Sequence, residues 1–197
     1  MTGELEKLQE GNKSYLAQGS VKDFARARQE TAAGQHPYAI VLTCSDSRVP
    51  PEHIFDAGIG EVFVVRNAGN VVDKIALGSI EYAAEHLHCP LLVVMGHESC
   101  GAVKAAWEAA EKPAAEGTEE HKHEDSIIFI LKKLEKAVKK AKKKNKAVED
   151  AATENVKLQI REIMKKSPLC KKLAEEGKLK IVGAKYKLSD GTVEIIQ

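Results

Sequence analysis

The chain of 197 residues is 43% hydrophobic, enough to bury one sizeable core, so a single domain over residues 1–197 is expected. Lysine plus arginine, 30, nearly cancel aspartate plus glutamate, 29, and a net charge of +1 lacks the electrostatic footprint of a nucleic-acid binder. No apolar run approaches the roughly 18 residues of a membrane span. The opening MTGELEKLQEGNKSYL is charged and helical rather than signal-like, so a cytoplasmic protein acting on a small molecule, without nucleic-acid or membrane partners, is expected.

Taken in chain order, the first 34 or so residues read as a helical arm, with Leu5, Leu8, Tyr15 and Leu16 on a sparse apolar stripe suited to packing on a neighbouring subunit. Tyr38 to Thr43, Val62 to Val65 and Leu91 to Met95 are short, β-branched and not alternating, the pattern of strands buried on both faces of a parallel sheet. Between the second and third, Lys74 to His88 carries Ile75, Leu77, Ile80, Tyr82, Ala83 and Leu87 at helical spacing and predicts a crossover helix, with Pro90 marking the next strand. The stretch from Glu111 to Asp125 holds six acidic residues with Pro113 and Gly117 and predicts a solvated loop. A helix follows from near Ser126, with nine lysines and one glutamate between Leu131 and Lys146. Ile127, Leu131, Leu134 and Val138 form its inward stripe, so the lysines read as a solvated face. Lys180 to Leu188, a Ser-Asp-Gly turn and Thr192 to Ile196 predict a hairpin at one edge. The sum is an α/β fold: a central, mostly parallel sheet of four parallel strands plus an antiparallel C-terminal edge strand, flanked by helices.

Two groups of reactive residues fall directly after strands. Cys44 follows the first, and Gly96-His97-Glu98-Ser99-Cys100-Gly101 follows the third, so both lie at carboxyl ends of parallel strands, where open α/β sheets bind ligands. His97 and Cys100 share one side of a single turn and meet Cys44 if those strands are neighbours. Two thiolates and one imidazole suit Zn2+, and three protein ligands leave its fourth position for water or substrate. The start of a helix at Cys100 is expected to favour the thiolate there. By itself the His-x-x-Cys turn is equally compatible with unrelated core residues. The run Ser45-Asp46-Ser47-Arg48 adds a carboxylate and a guanidinium able to pair beside the candidate ligands. Cys89 and Cys170 read as buried small residues or surface thiols.

The segments CSDSRVP at 44–50, VVRNAGN at 64–70, Ile80-Glu81-Tyr82 and GHESCGAV at 96–103 resemble the β-class carbonic anhydrases, and the resemblance extends from LQEGNKSYL at 8–16 to the VGAKYKLSDGTVEII ending. It implies reversible hydration of carbon dioxide to bicarbonate and a proton, one zinc per subunit on Cys44, His97 and Cys100, and a catalytic pair of Asp46 and Arg48. It further implies that Gln35, Phe63, Tyr82 and Gly101 bind substrate in a pocket built from two subunits, hence a homodimer or dimer-based tetramer. Relatives held in a self-inhibited state, with the aspartate on the metal, resemble this chain less where they carry tryptophan, because Val41 stands in that place; an open site with Asp46 on Arg48 is therefore expected. Glu98-Ser99 and Ala68-Gly69 depart from the commoner pattern and leave pocket shape open.

For the proton, His53, His86, His88, His121 and His123 are all available by type. Two rival functions use the same three ligands: hydrolysis of carbon disulfide or carbonyl sulfide on the same fold, and a closed structural zinc module that mediates assembly. A third reading, a cysteine phosphatase, needs a cradle of several residues between Cys and Arg, and only three separate Cys44 from Arg48.

Overall fold

A computed structural model of the protein describes residues 3–111, 126–144 and 146–196. The predicted acidic loop falls outside the described residues apart from Glu111. Five strands form one sheet in the order β2-β1-β3-β4-β5, where β1 is Ala39–Cys44, β2 Val62–Asn67, β3 Leu91–His97, β4 Lys180–Tyr186 and β5 Val193–Ile196. The first four run parallel and β5 pairs antiparallel with β4, as the apolar runs and the hairpin predict. Every residue of β1 and β3 is buried because layers of side chains cover both faces.

Alternation along these strands sends Val41, Val93 and Met95 to one face and Ile40, Leu42, Leu92 and Val94 to the other. The first face is covered by α1 (Gly3–Leu16), α5 (Gly101–Ala109) and α6 (Ile127–Lys143), contributing Leu8, Val103, Leu134 and Val138. The second is covered by α4 (Lys74–Glu85) and α8 (Pro168–Glu175), contributing Ile80, Cys170 and Leu173. The remaining helices are α2 (Phe24–Glu30), α3 (Pro51–Ile54) and α7 (Val148–Lys166). The sequence reading placed neither α7 nor α8. Helix α7 reaches both layers, and it sits unusually close to the sheet: Val156 fills the space above Gly96 and Gly183, where any Cβ would meet its methyl carbons at 2.9 Å. Glycine is needed at those two positions for room rather than for backbone freedom.

The N-terminal arm differs from its expectation. Leu8 is fully buried in this chain's own core, with Leu5 and Tyr15 packed beside it, rather than reserved for a neighbour. Asn12 explains the docking: its Nδ2 donates to the carbonyls of Ile54 and Gly191, both at 3.0 Å, and its Oδ1 accepts from the Val193 amide at 3.1 Å. On α6 the buried residues are Leu134, Ala137, Val138 and Ala141. Lys140 of α6 and Lys144 and Lys146 just beyond its end are committed within the chain, gathered round the buried Glu154 of α7 at 2.7, 3.6 and 3.9 Å.

The strand order fixes where a ligand would sit. From β1 the chain moves outward to β2 and then crosses to the far side of β1 for β3, so the connections diverge between β1 and β3. The carboxyl ends of those two strands therefore flank a crevice, the topological switch point of an open α/β sheet. Cys44 is the last residue of β1 and His97 the last of β3.

Candidate metal and active site

Cys44 Sγ, His97 and Cys100 Sγ meet at this crevice, their ligand atoms all within 4.8 Å of one another and all three residues buried. His97 Nδ1 lies 2.7 Å from the Glu98 carbonyl, a bond that places the ring proton on Nδ1 and leaves the Nε2 lone pair free. Nε2 is buried and has no hydrogen-bond partner among the described residues. A buried, unpaired imidazole nitrogen is costly unless something accepts its lone pair. The donor set of two sulfurs and one nitrogen fits zinc.

The two thiols affect each other more than the helix affects either. The Cys100 thiol donates toward Cys44 and draws the Cys44 thiol down; burial opposes this, while His97 and the backbone amides of Gly69 and Asp46 assist. The same contact with Cys44, reinforced by burial, pushes the Cys100 thiol up. The helix start does favour a thiolate at Cys100, as expected, but it is not the largest influence on that thiol. The amides of Ala102 and Val103 act in that direction, but a neighbouring negative sulfur outweighs them. A divalent cation between the sulfurs reverses this local balance by supplying the counter-charge both need.

Asp46 and Arg48 form the expected pair. Arg48 Nε donates to Asp46 Oδ1 at 2.9 Å and Nη2 to Oδ2 at 2.8 Å, and the Arg48 amide adds a third bond to Oδ1 at 3.0 Å. This fork holds the Asp46 carboxyl well below the usual carboxylate range, against the opposing effect of burial. Asp46 Oδ2 stands 4.0 Å from His97 Nε2, so the ionised oxygen borders the triad without entering it. Val41, where the self-inhibited relatives carry tryptophan, is buried within β1.

Backbone clamps around the site were not legible in the sequence. Arg66, on β2, donates from Nε to the Cys44 carbonyl at 2.9 Å and from Nη2 to the Asp46 carbonyl at 2.7 Å, gripping the loop between first ligand and carboxylate. The Gly69 amide donates to Cys44 Sγ at 3.3 Å. The Glu98-Ser99 departure acquires a role here. Glu98 Oε2 accepts from Ser189 Nα and Oγ in the hairpin turn at 3.1 and 3.0 Å, while the Ser99 amide donates to Glu149 of α7 at 3.0 Å. The motif VVRNAGN at 64–70 was the available signal, but its contacts are tertiary and have no spacing rule.

The four residues assigned to substrate are placed differently. Gln35 is exposed in the coil before β1 and makes no hydrogen bond among the described residues. Phe63 of β2 and Tyr82 of α4 meet with ring centroids 6.2 Å apart on the outer edge of the sheet, where Tyr82 is 48% exposed. Gly101 begins α5 beside Cys100, and a Cβ there would meet nothing within 4 Å. Of the histidines, His53 lines a cleft of about 960 Å³ together with Ser47 and Arg48, and the His86 ring meets Tyr82 at a tilt of 44° with centroids 5.3 Å apart. His121 and His123 lie outside the described residues. Cys89 and Cys170 are buried, and all four cysteines are free.

The carbonic anhydrase family profile matches residues 39–193. Carbonic anhydrase 2 of Mycobacterium tuberculosis is 37% identical over 188 residues, covering 93% of this chain and 87% of that protein. A Coccomyxa β-carbonic anhydrase, solved in complex with acetazolamide, is 28% identical with a TM-score of 0.72 and covers 98% of this chain and 86% of its own. One of two tetrameric β-carbonic anhydrases from Sordaria macrospora is 25% identical with a TM-score of 0.71, covering 87% and 89%.

Proposed function

Because the chain belongs to the β-class carbonic anhydrases, which hydrate carbon dioxide reversibly to bicarbonate and a proton, we propose that Cys44, His97 and Cys100 hold the catalytic zinc and that Asp46 and Arg48 direct its chemistry. The observation that carries this reading is the convergence of three buried ligand atoms, one of them an imidazole nitrogen with no other partner. Zinc held there supplies the Lewis acidity that makes water a nucleophile near neutral pH.

The chain's own residues do the rest. His97 presents Nε2 because its other nitrogen is tied to Glu98. Asp46 Oδ2, kept ionised by Arg48, accepts a hydrogen bond from the attacking water and turns a lone pair toward the carbon of carbon dioxide. Arg66 keeps the Asp46 loop from drifting away from Cys44. His53, in the cleft shared with Arg48, is placed to pass the released proton to buffer.

Gln35, Phe63, Tyr82 and Gly101 are proposed to receive substrate once a second copy covers them. The exposure of Gln35, Tyr82 and Gly101 supports that reading, and so does the tetrameric state named for the Sordaria enzymes. The unit proposed is a homodimer or a dimer-based tetramer. The proposed compartment is the cytoplasm, where reducing conditions keep four free cysteines as thiols; no helix among the described residues is long and apolar enough to cross a membrane.

The decisive experiment is Cys44→Ser, read by zinc content and stopped-flow hydration of carbon dioxide. Loss of a direct ligand is expected to exceed the roughly 100-fold upper range seen for supporting residues around metals. A variant with a full equivalent of zinc and parental speed would overturn the assignment.

A further inference from the structure

A chain of buried amides links α7 to the sulfur of Cys44. Asn155, fully buried on α7, donates from Nδ2 to the Gly69 carbonyl at 2.9 Å and to Asn70 Oδ1 at 3.2 Å. Its own Oδ1 accepts from Gln159 Nε2 at 2.8 Å, one helical turn on, and Gln159 Oε1 accepts from the Val72 amide at 2.8 Å. The two side chains thus hold the Gly69 carbonyl and the Val72 amide at the two ends of the 69–72 turn, and the Gly69 N–H that donates to Cys44 lies one peptide group before that carbonyl.

The turn would not hold that amide in place unaided. Gly69 has φ +75°, and an added Cβ would meet Leu134 at 3.0 Å and Ala102 at 3.2 Å, so the position needs glycine for both conformation and room. Asn70 follows with φ +43°. Two successive left-handed residues are a costly local arrangement that persists only when the surroundings over-determine it. Asn67 bonds across the loop to Val71 through both its amide atoms at 2.8 Å, which fixes the turn's width. Asn155 is the group that bonds to Gly69 itself.

We infer that Asn155, backed by Gln159, is a positioning residue of the metal centre: by holding the Gly69 carbonyl it fixes the residue whose own N–H, one peptide earlier, stays on the Cys44 sulfur and moderates how much charge that sulfur gives to a bound metal. The inference rests on Cys44 being a ligand. An N–H···S bond withdraws electron density from a thiolate, so losing it makes the sulfur a stronger donor and the metal a weaker Lewis acid.

The test uses the full-length protein loaded with cobalt(II), whose sulfur-to-metal charge-transfer band reports thiolate donation. Asn155→Ala is expected to move that band to lower energy while one metal per chain and the far-ultraviolet circular dichroism are retained. Zinc affinity, from competition with a chelator, is expected to fall by about 10-fold, because the loss of fixed ligand geometry outweighs the stronger donation by the sulfur. Gln159→Met, which leaves Asn155 on Gly69 but unbraced, is expected to shift the band in the same direction by less. A folded, loaded Asn155→Ala protein with the parent's band and affinity overturns the inference. Should that variant not fold, the unaltered protein decides: loaded with NMR-active cadmium, it is expected to show scalar coupling between the metal and the Gly69 amide proton, and its absence overturns the inference. Failure of the underlying reading is distinguishable, because Cys44→Ser would then keep both the charge-transfer band and the full metal complement.

Discussion

The metal-binding end of the sheet and the residues beside it that are proposed to receive substrate are completed to different degrees by the same chain. At the metal end each group has a partner within the chain: Glu98 orients His97, Arg48 forks onto Asp46, Arg66 grips two carbonyls, and Gly69 donates to Cys44. On the substrate side Gln35 is exposed, Gly101 opens onto free space, and Phe63 and Tyr82 lean on each other at the sheet's outer edge. Ile75, on the same helix as Tyr82, is 79% exposed. Rigid polar scaffolding is assembled within the chain, whereas under the proposed dimer the apolar part of the pocket would be completed by a second copy. A chain built this way should bind metal as a monomer yet turn over well only as an oligomer.

The sharpest way to separate the two regions is Asp46→Asn. It removes the charge that orients water while keeping the shape, so turnover is expected to fall about 100-fold, the low end for positioned acid–base groups, with zinc content unchanged. If zinc is lost as well, Asp46 belongs to the binding scaffold and not to the chemistry. Next in size is Tyr82→Arg, which places a charge on the exposed face of α4. It is expected to raise KM, weaken association and lower activity on dilution by about 10-fold, the effect of about 1.4 kcal/mol. Sedimentation combined with hydration kinetics would check it, and a monomeric variant with undiminished turnover would break the comparison.

The smallest effect concerns the arm that walls the cleft beside Arg48. Asp56 accepts from Ser14 Oγ at 2.5 Å and from the Ser20 amide at 3.0 Å, and it pairs with Lys22 at 3.3 Å. Burial alone would raise its carboxyl, yet these bonds hold it at about 2. Because the folded value lies below the unfolded one of about 3.9, the stabilisation is fully present above that pH and is lost as pH falls through about 2. The stability gap between the parent and Asp56→Asn, from urea unfolding, is therefore expected to be roughly 1–3 kcal/mol at neutral pH and to shrink through the acid range. A gap independent of pH would show that the tether is not the carboxylate.

How far the sequence revealed this arrangement depends on whether a signal was local. The runs at 38–43 and 91–95 declare buried parallel strands because both faces of β1 and β3 are covered, while the run at 62–65 falls on the half-buried edge strand β2 and is less enclosed than its pattern predicts; Cys44 and His97 are legible because they terminate β1 and β3. Local signals misled where a polar residue decides the packing. The arm's leucines suggested an intermolecular face, but Asn12 bonds to Ile54, Gly191 and Val193 and seats the helix on its own chain. The crossover helix ends at Glu85 rather than His88, which adopts φ +51°. Asn155 and Gln159 look in sequence like ordinary polar residues on an amphipathic helix; only burial and the loop opposite them reveal a purpose. Likewise the electrostatics of Cys100 turned on Cys44, a neighbour that no spacing within its own helix could announce.

The recess formed by Gly96 and Gly183 ties these threads together in a different way. A single methyl group added at Gly96 would press on Val156 at 2.9 Å and on the Ala152 carbonyl at 3.4 Å, lifting α7 off the strands. Asn155 is the next-door neighbour of Val156 and would travel with it. The glycine preceding His97 is thus answerable to a helix more than fifty positions downstream, and its freedom to vary is set by how near that helix must lie rather than by the histidine it adjoins.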